Sequence, residues 1–180
     1  MKKIFLIIAL LYSVNGFSQI KEASLKASGL TCSLCSKAIY KALTAIQFIN
    51  EVKPNIQNST YIISFKSGVQ PDFDLIAKAV TNAGFSVAQL KLVVNFDNIS
   101  INNNMHIKIE NKEFHFLNVH NETLKGDRTI ILIDKNFISA RDYKKYSSLD
   151  EMKCYQTGVV EDCCPKKDSK KGERIYHVTI

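Results

Sequence analysis

The stretch Gly29-Leu30-Thr31-Cys32-Ser33-Leu34-Cys35 does most to restrict the folds open to this chain. It closes a strand-like run, Ala23 to Gly29, and opens an amphipathic helix from Ser33 to about Ile46. Two thiols three residues apart at a helix start form a local soft-metal chelate. With Cys32 in the loop and Cys35 in the first turn, one backbone bend brings both sulfurs onto one ion. A helix N-terminus carries partial positive charge and unpaired N–H groups, which favour thiolate over thiol. Thiolates in turn select soft ions such as Cu(I) and Zn(II).

The periodicity around this stretch sets the surrounding elements. From Glu22 to Gly29, Ala23, Leu25 and Ala27 alternate with Ser24, Lys26 and Ser28, which predicts a strand. Cys35, Ile39, Ala42 and Ile46 fall on one helix face. Ile49 to Ile56 follows as a strand with Val52 and Ile56 inward. After the polar Gln57-Asn58-Ser59 turn, Tyr61, Ile63 and Phe65 alternate in the return arm of a hairpin. Asp72 caps a second helix whose buried stripe is Phe73, Ile76, Ala77 and Val80, and Asn82-Ala83-Gly84 stops it. Phe85 to Leu92 reads as a fourth strand. Strand, helix, strand, strand, helix, strand is the ferredoxin-like split β-α-β pattern.

These residues carry a family resemblance. The Gly29-Leu30-Thr31-Cys32-Ser33-Leu34-Cys35 loop, with Ala38, Leu43, the hairpin and Ala83-Gly84-Phe85, resembles the heavy-metal-associated domain over roughly Ile20 to Leu92. Copper chaperones, the N-terminal modules of copper-transporting P-type ATPases and the periplasmic mercury-binding protein carry that domain. The resemblance implies that Cys32 and Cys35 bind the metal. The family's usual Met before the Thr, packed under the loop, is Leu30 here, an apolar swap that keeps the packing. Phe85 is closer to the ATPase modules than to the chaperones, which often carry Lys or Tyr near there.

Structural zinc takes four protein ligands and catalytic zinc three plus water. No His, Asp or third Cys stands near Cys32 and Cys35 in sequence, and Thr31, Ser33 and Ser36 are weak ligands. Two thiolates suit Cu(I), the expected ion, and by the same logic Hg(II) or Ag(I), with Zn(II) the remaining option. The rival reading is a thiol–disulfide redox protein using the same pair. Against it, there is no Trp beside the pair and no Pro within it, and a hairpin directly follows the first helix. A disulfide closing so short a loop would remove little unfolded-chain entropy and make a poor staple.

Residues 93–180 show no second CxxC and read as a β-rich module, for which a small OB-like barrel is the fold-level expectation. The chain is therefore expected to be α+β, with residues 19–92 a ferredoxin-like domain and 93–180 a second, β-rich one. In the second half, Met105, Ile107 and Ile109 alternate, Phe114 and Phe116 return, Gly126-Asp127 reads as a turn before the apolar run Thr129 to Ile133, and Ser139 caps a short helix. Tyr176, Val178 and Ile180 alternate at the end. Cys154, Cys163 and Cys164 suggest one disulfide, from Cys154 to either neighbour, with one thiol left over. A sharper alternative joins that thiol with His177 or its vicinal neighbour in a second soft-metal site. A hairpin turning at Asn111-Lys112 would make His106 and His115 diagonal neighbours, in reach of one another for a weak Cu(II) or Zn(II) site. His120 and His177 carry no local pattern and read as structural.

Met1 to Ser18 reads as a secretory signal: Lys2 and Lys3, a short apolar run from Ile4 to Tyr12, and small residues in Gly16-Phe17-Ser18. The apolar run is far short of the roughly 20 residues of a membrane span. The mature protein is expected outside the cytoplasm, in a periplasm or beyond, where disulfides are permitted. Without the signal the chain keeps 22 Lys+Arg against 17 Asp+Glu, a balance of +5, much of it in Lys166-Lys167-Asp168-Ser169-Lys170-Lys171. No basic patch interleaved with aromatics points to nucleic acid. No nucleophile elbow, phosphate-cradling Gly loop or paired-carboxylate signature points to an enzyme. The expected partners are a metal ion and the protein that donates or accepts it.

Overall fold

The computed structural model describes residues 19–30, 33–149, 152–165 and 170–180. The expected signal, 1–18, lies outside the described residues. In chain order the elements are β1 (Gln19–Ser28), α1 (Ser33–Thr44), β2 (Ile49–Asn55), β3 (Thr60–Phe65), α2 (Phe73–Asn82), β4 (Ser86–Ile101), β5 (Met105–Ile109), β6 (Lys112–Phe116), β7 (Glu122–Leu132), α3 (Ala140–Ser147), α4 (Lys153–Thr157) and β8 (Ile175–Thr179).

The first six elements take the βαββαβ order, with strands arranged β2-β3-β1-β4 and all neighbours antiparallel. Alternation dictates which face is buried: Ala23, Leu25 and Ala27 of β1 and Tyr61 and Ile63 of β3 turn inward. The helices α1 and α2 pack against this face and each other. In α2 the buried residues are Phe73, Ile76, Ala77 and Val80, as the periodicity requires, and Asp72 accepts a capping bond from the Leu75 N–H at 3.2 Å. The helix ends in a Schellman turn: the Gly84 and Phe85 N–H groups donate to the Thr81 and Val80 carbonyls, with Gly84 at φ +87°.

Two details of the first half differ from the pattern. In α1 the buried residues are Ser36, Ile39 and Leu43: of the expected Cys35, Ile39, Ala42 and Ile46 stripe, Ile39 lies fully inward and the other three are half-buried, so the inward face is rotated towards Ser36 and Leu43. Ser36 can be buried because the Tyr61 hydroxyl reaches its side chain at 2.9 Å. Ile56 lies past the end of β2 and is 62% exposed, since the pleat that would turn it inward stops at Asn55.

The second half does not close into an OB-like barrel. It extends the first sheet into an open one of eight strands, β2-β3-β1-β4-β7-β8-β6-β5. The reason lies in β4, 16 residues long, which passes through the expected boundary at 92–93 and offers its far edge to β7 from Leu90↔Leu132 to Ile101↔Glu122. An uncovered edge of that length would carry a row of unpaired N–H and C=O groups. The expected turn at Gly126-Asp127 is instead continuous strand, with Gly126 opposite Phe96 beside a register shift that ends at Ile99. Strand β8 enters between β7 and β6 and runs parallel to β6.

All of β8, and β6 from Glu113 onward, is buried, so both faces of this part of the sheet are covered. On one face Phe114 and Tyr176 meet Phe73 of α2, with ring centroids 6.5 and 5.2 Å away. On the other lie His115 and His177, beneath α4. One continuous core therefore runs through residues of both halves.

Candidate metal centre

Cys35 stands half-buried in the first turn of α1; Cys32 lies outside the described residues. Gly29, which leads into the loop, has φ +82°, a conformation that side-chain-bearing residues adopt only with strain. Leu30 is partly buried and packs against the core, as expected. The first turn of α1 is tied to β3: the Tyr61 hydroxyl donates to the Ser36 carbonyl at 3.2 Å and so can accept from the Ser36 hydroxyl at 2.9 Å. Leu34, between the two cysteines, is 75% exposed. The helix has no acidic residue in its first turn, and Lys37 and Lys41 are exposed on its surface.

A second cluster gathers histidines and cysteines that the sequence had offered only as separate alternatives. Strand register sets His106 directly opposite His115, and His115 opposite His177, in a row across β5, β6 and β8. The His106 and His115 rings stack at 4.2 Å, so the pair is direct and not diagonal; β5 and β6 pair Ile109 with Lys112, which places the turn one residue earlier than a diagonal arrangement needs. His177 is buried and tied to the fold at two points. Its Nδ1 is 2.9 Å from Asp134 Oδ1, its backbone N–H donates to Asp134 Oδ2 at 2.9 Å, and its Nε2 is buried with no hydrogen-bond partner. Arg174 reaches Asp134 at 3.4 Å and Asp74 at 2.8 Å.

Helix α4 lowers Cys154 onto this row. Its Sγ lies 3.9 Å from His115 Nδ1, and one ligand atom from each of His115, Cys154 and His177 falls within 4.8 Å of the others. The sulfurs of Cys154, Cys163 and Cys164 form a second triad within the same limit, and none of the three is in a disulfide. The disulfide expected from spacing is thus replaced by three thiols around a common point. Cys154 and Cys164 are buried and Cys163 is exposed. Burial, together with His106 and His177, lowers His115 to about 2, so its imidazole is neutral and has a lone pair to give. Burial pushes the Cys154 and Cys164 thiols up. Desolvation acts the same way on Cys163, but hydrogen bonds from the Cys154 backbone and the two neighbouring thiols hold it below the usual thiol value.

Among the described residues no helix is long and apolar enough to cross a membrane. Residues 24–86 match the heavy-metal-associated domain. A probable copper-exporting P-type ATPase of Archaeoglobus fulgidus is 27% identical over 73 residues, which are 41% of this chain and 9% of that protein. The chain therefore spans only a small part of that relative's length. Oxidized MerP from Ralstonia metallidurans CH34 is 23% identical over 38% of this chain and 96% of that one, at a TM-score of 0.34. The yeast copper transporter domain CCC2A is 22% identical over 37% of this chain and 90% of that one, at a TM-score of 0.33. The Gly29–Cys35 loop lies within the segment, residues 24–86, that matches the heavy-metal-associated domain.

Proposed function

We propose that the protein binds one Cu(I) through Cys32 and Cys35 and hands it to an acceptor protein. The observation that carries this reading is the position of Cys35, in the first turn of α1, three residues after Cys32 in sequence and inside the segment matched to the heavy-metal-associated domain. Two thiolates without a third donor nearby in sequence suit an ion content with low coordination. Transfer runs by ligand exchange, in which an incoming thiolate binds the ion as one of the two cysteines leaves. The exposed Leu34 and the Lys37 and Lys41 side chains offer an acceptor an apolar contact ringed by positive charge. The reading of Met1–Ser18 as a secretory signal supports an exchange outside the cytoplasm, where the pair must be kept reduced to bind.

The test is anaerobic Cu(I) titration of the reduced chain against a competing chelator. The Cys32→Ser/Cys35→Ser variant should bind one Cu(I) fewer than the wild type. Equal stoichiometry in the two refutes the reading. Insulin-reducing activity that vanishes in the same variant, without any loss of Cu(I), would move the pair to the thiol–disulfide alternative.

A further inference from the structure

The cluster beneath α4 has the donors that the Cys32–Cys35 pair lacks. Tetrahedral zinc, with Zn–S about 2.3 Å and Zn–N about 2.0–2.1 Å, holds its ligands roughly 3.5–3.8 Å apart. The 3.9 Å between Cys154 Sγ and His115 Nδ1 is long for a hydrogen bond but close to the edge of such a tetrahedron. Cys154 also belongs to the triad with Cys163 and Cys164, so its sulfur is the common vertex of both groups. The exposed Cys163 gives an ion a way in.

We propose that Cys154, Cys163 and Cys164, whose sulfurs lie within 4.8 Å of one another, form a Cys3His site for Zn(II), separate from the Cys32–Cys35 pair, in which the ion draws in His115, 3.9 Å from Cys154, as its fourth ligand. The ion is resident, not cargo. It fastens the segment from Lys153 to Cys164, whose only helix is five residues long, onto strands β6 and β8. Three thiolates and an imidazole fill all four zinc positions, as in structural sites, and leave none for exchange.

The experiment uses the full mature chain carrying Cys32→Ser/Cys35→Ser, so its result does not depend on the first site. Reduced anaerobic protein is titrated with Co(II). One Co(II) per chain should bind with the intense visible bands of tetrahedral thiolate coordination, and Zn(II) should displace it. Cys163→Ser, at an exposed position, should keep the far-UV spectrum of the parent and lose at least tenfold in Co(II) affinity. His115→Asn should weaken binding and shift the bands while the thiolate signal remains. Unchanged affinity in Cys163→Ser, or Co(II) spectra without thiolate bands, overturns the site. So does exported protein isolated without zinc and with Cys154 bridged to Cys163 or Cys164.

Discussion

Removing the single oxygen of Tyr61 tests how the Cys35 turn is held. Tyr61 is 1% exposed and Ser36 5%, so neither hydroxyl can turn to water when its partner is lost. Tyr61→Phe deletes both the 2.9 Å contact with the Ser36 hydroxyl and the 3.2 Å bond to the Ser36 carbonyl. A buried polar group left unpaired costs about 1–3 kcal/mol, and that is the expected loss of stability. Ser36→Ala keeps the bond from Tyr61 to the carbonyl, so it should cost less, about 1 kcal/mol. In the double variant the Ser36 hydroxyl is gone before its partner is removed, and the total should fall short of the sum by roughly 0.5–1.5 kcal/mol. Urea unfolding of the reduced, metal-free chain, followed by far-UV circular dichroism, gives all four stabilities. Because Ser36 directly follows Cys35, Tyr61→Phe should also weaken Cu(I) binding severalfold. Additivity within about 0.3 kcal/mol would refute the coupling and with it the claim that this pair permits the rotated face of α1.

Phe73 touches Phe65 in the first half and Phe114 and Tyr176 in the second, so Phe73→Ala opens a cavity shared by both. It should cost about 3–5 kcal/mol in a single cooperative transition, whereas two separate unfolding steps would contradict the shared core. At the start of α3 the Ser139 hydroxyl donates to Asp142 at 2.6 Å and accepts from the Asp142 N–H at 3.1 Å. That bond, chiefly, holds the Asp142 carboxyl below the usual Asp value. A depressed carboxyl stabilises the fold above its unfolded pKa and loses that contribution as pH falls through the folded value. In Ser139→Ala, NMR titration should show the Asp142 carboxyl moving up towards the ordinary value; no movement refutes the assignment.

Much of the first half was legible in the chain. Polar–apolar alternation marked β1 and β3, and a 3.6-residue period together with Asp72 and Gly84 marked α2 from cap to stop, because those signals are local. The Ser139 cap of α3 was read for the same reason. The inward face of α1 was misjudged at Ser36, since a hydroxyl counts as polar until a distant tyrosine satisfies it. The candidate metal residues divide in the same way. Cys32 and Cys35 stand three residues apart in sequence and announce themselves. His115, Cys154 and His177 are spread over more than sixty positions and show no spacing rule.

What the sequence determined unaided is whatever a turn or a pleat can encode: the cysteine pair at a helix start, the order of the first six elements, and the alternation along each strand. Only the tertiary structure decided that β4 would carry one sheet across both halves, and that the last strand would enter parallel to β6. Backbone pairing is indifferent to side-chain identity, so register between distant strands cannot be read from either strand alone. That register is what sets three histidines in a row and places Cys154 above them.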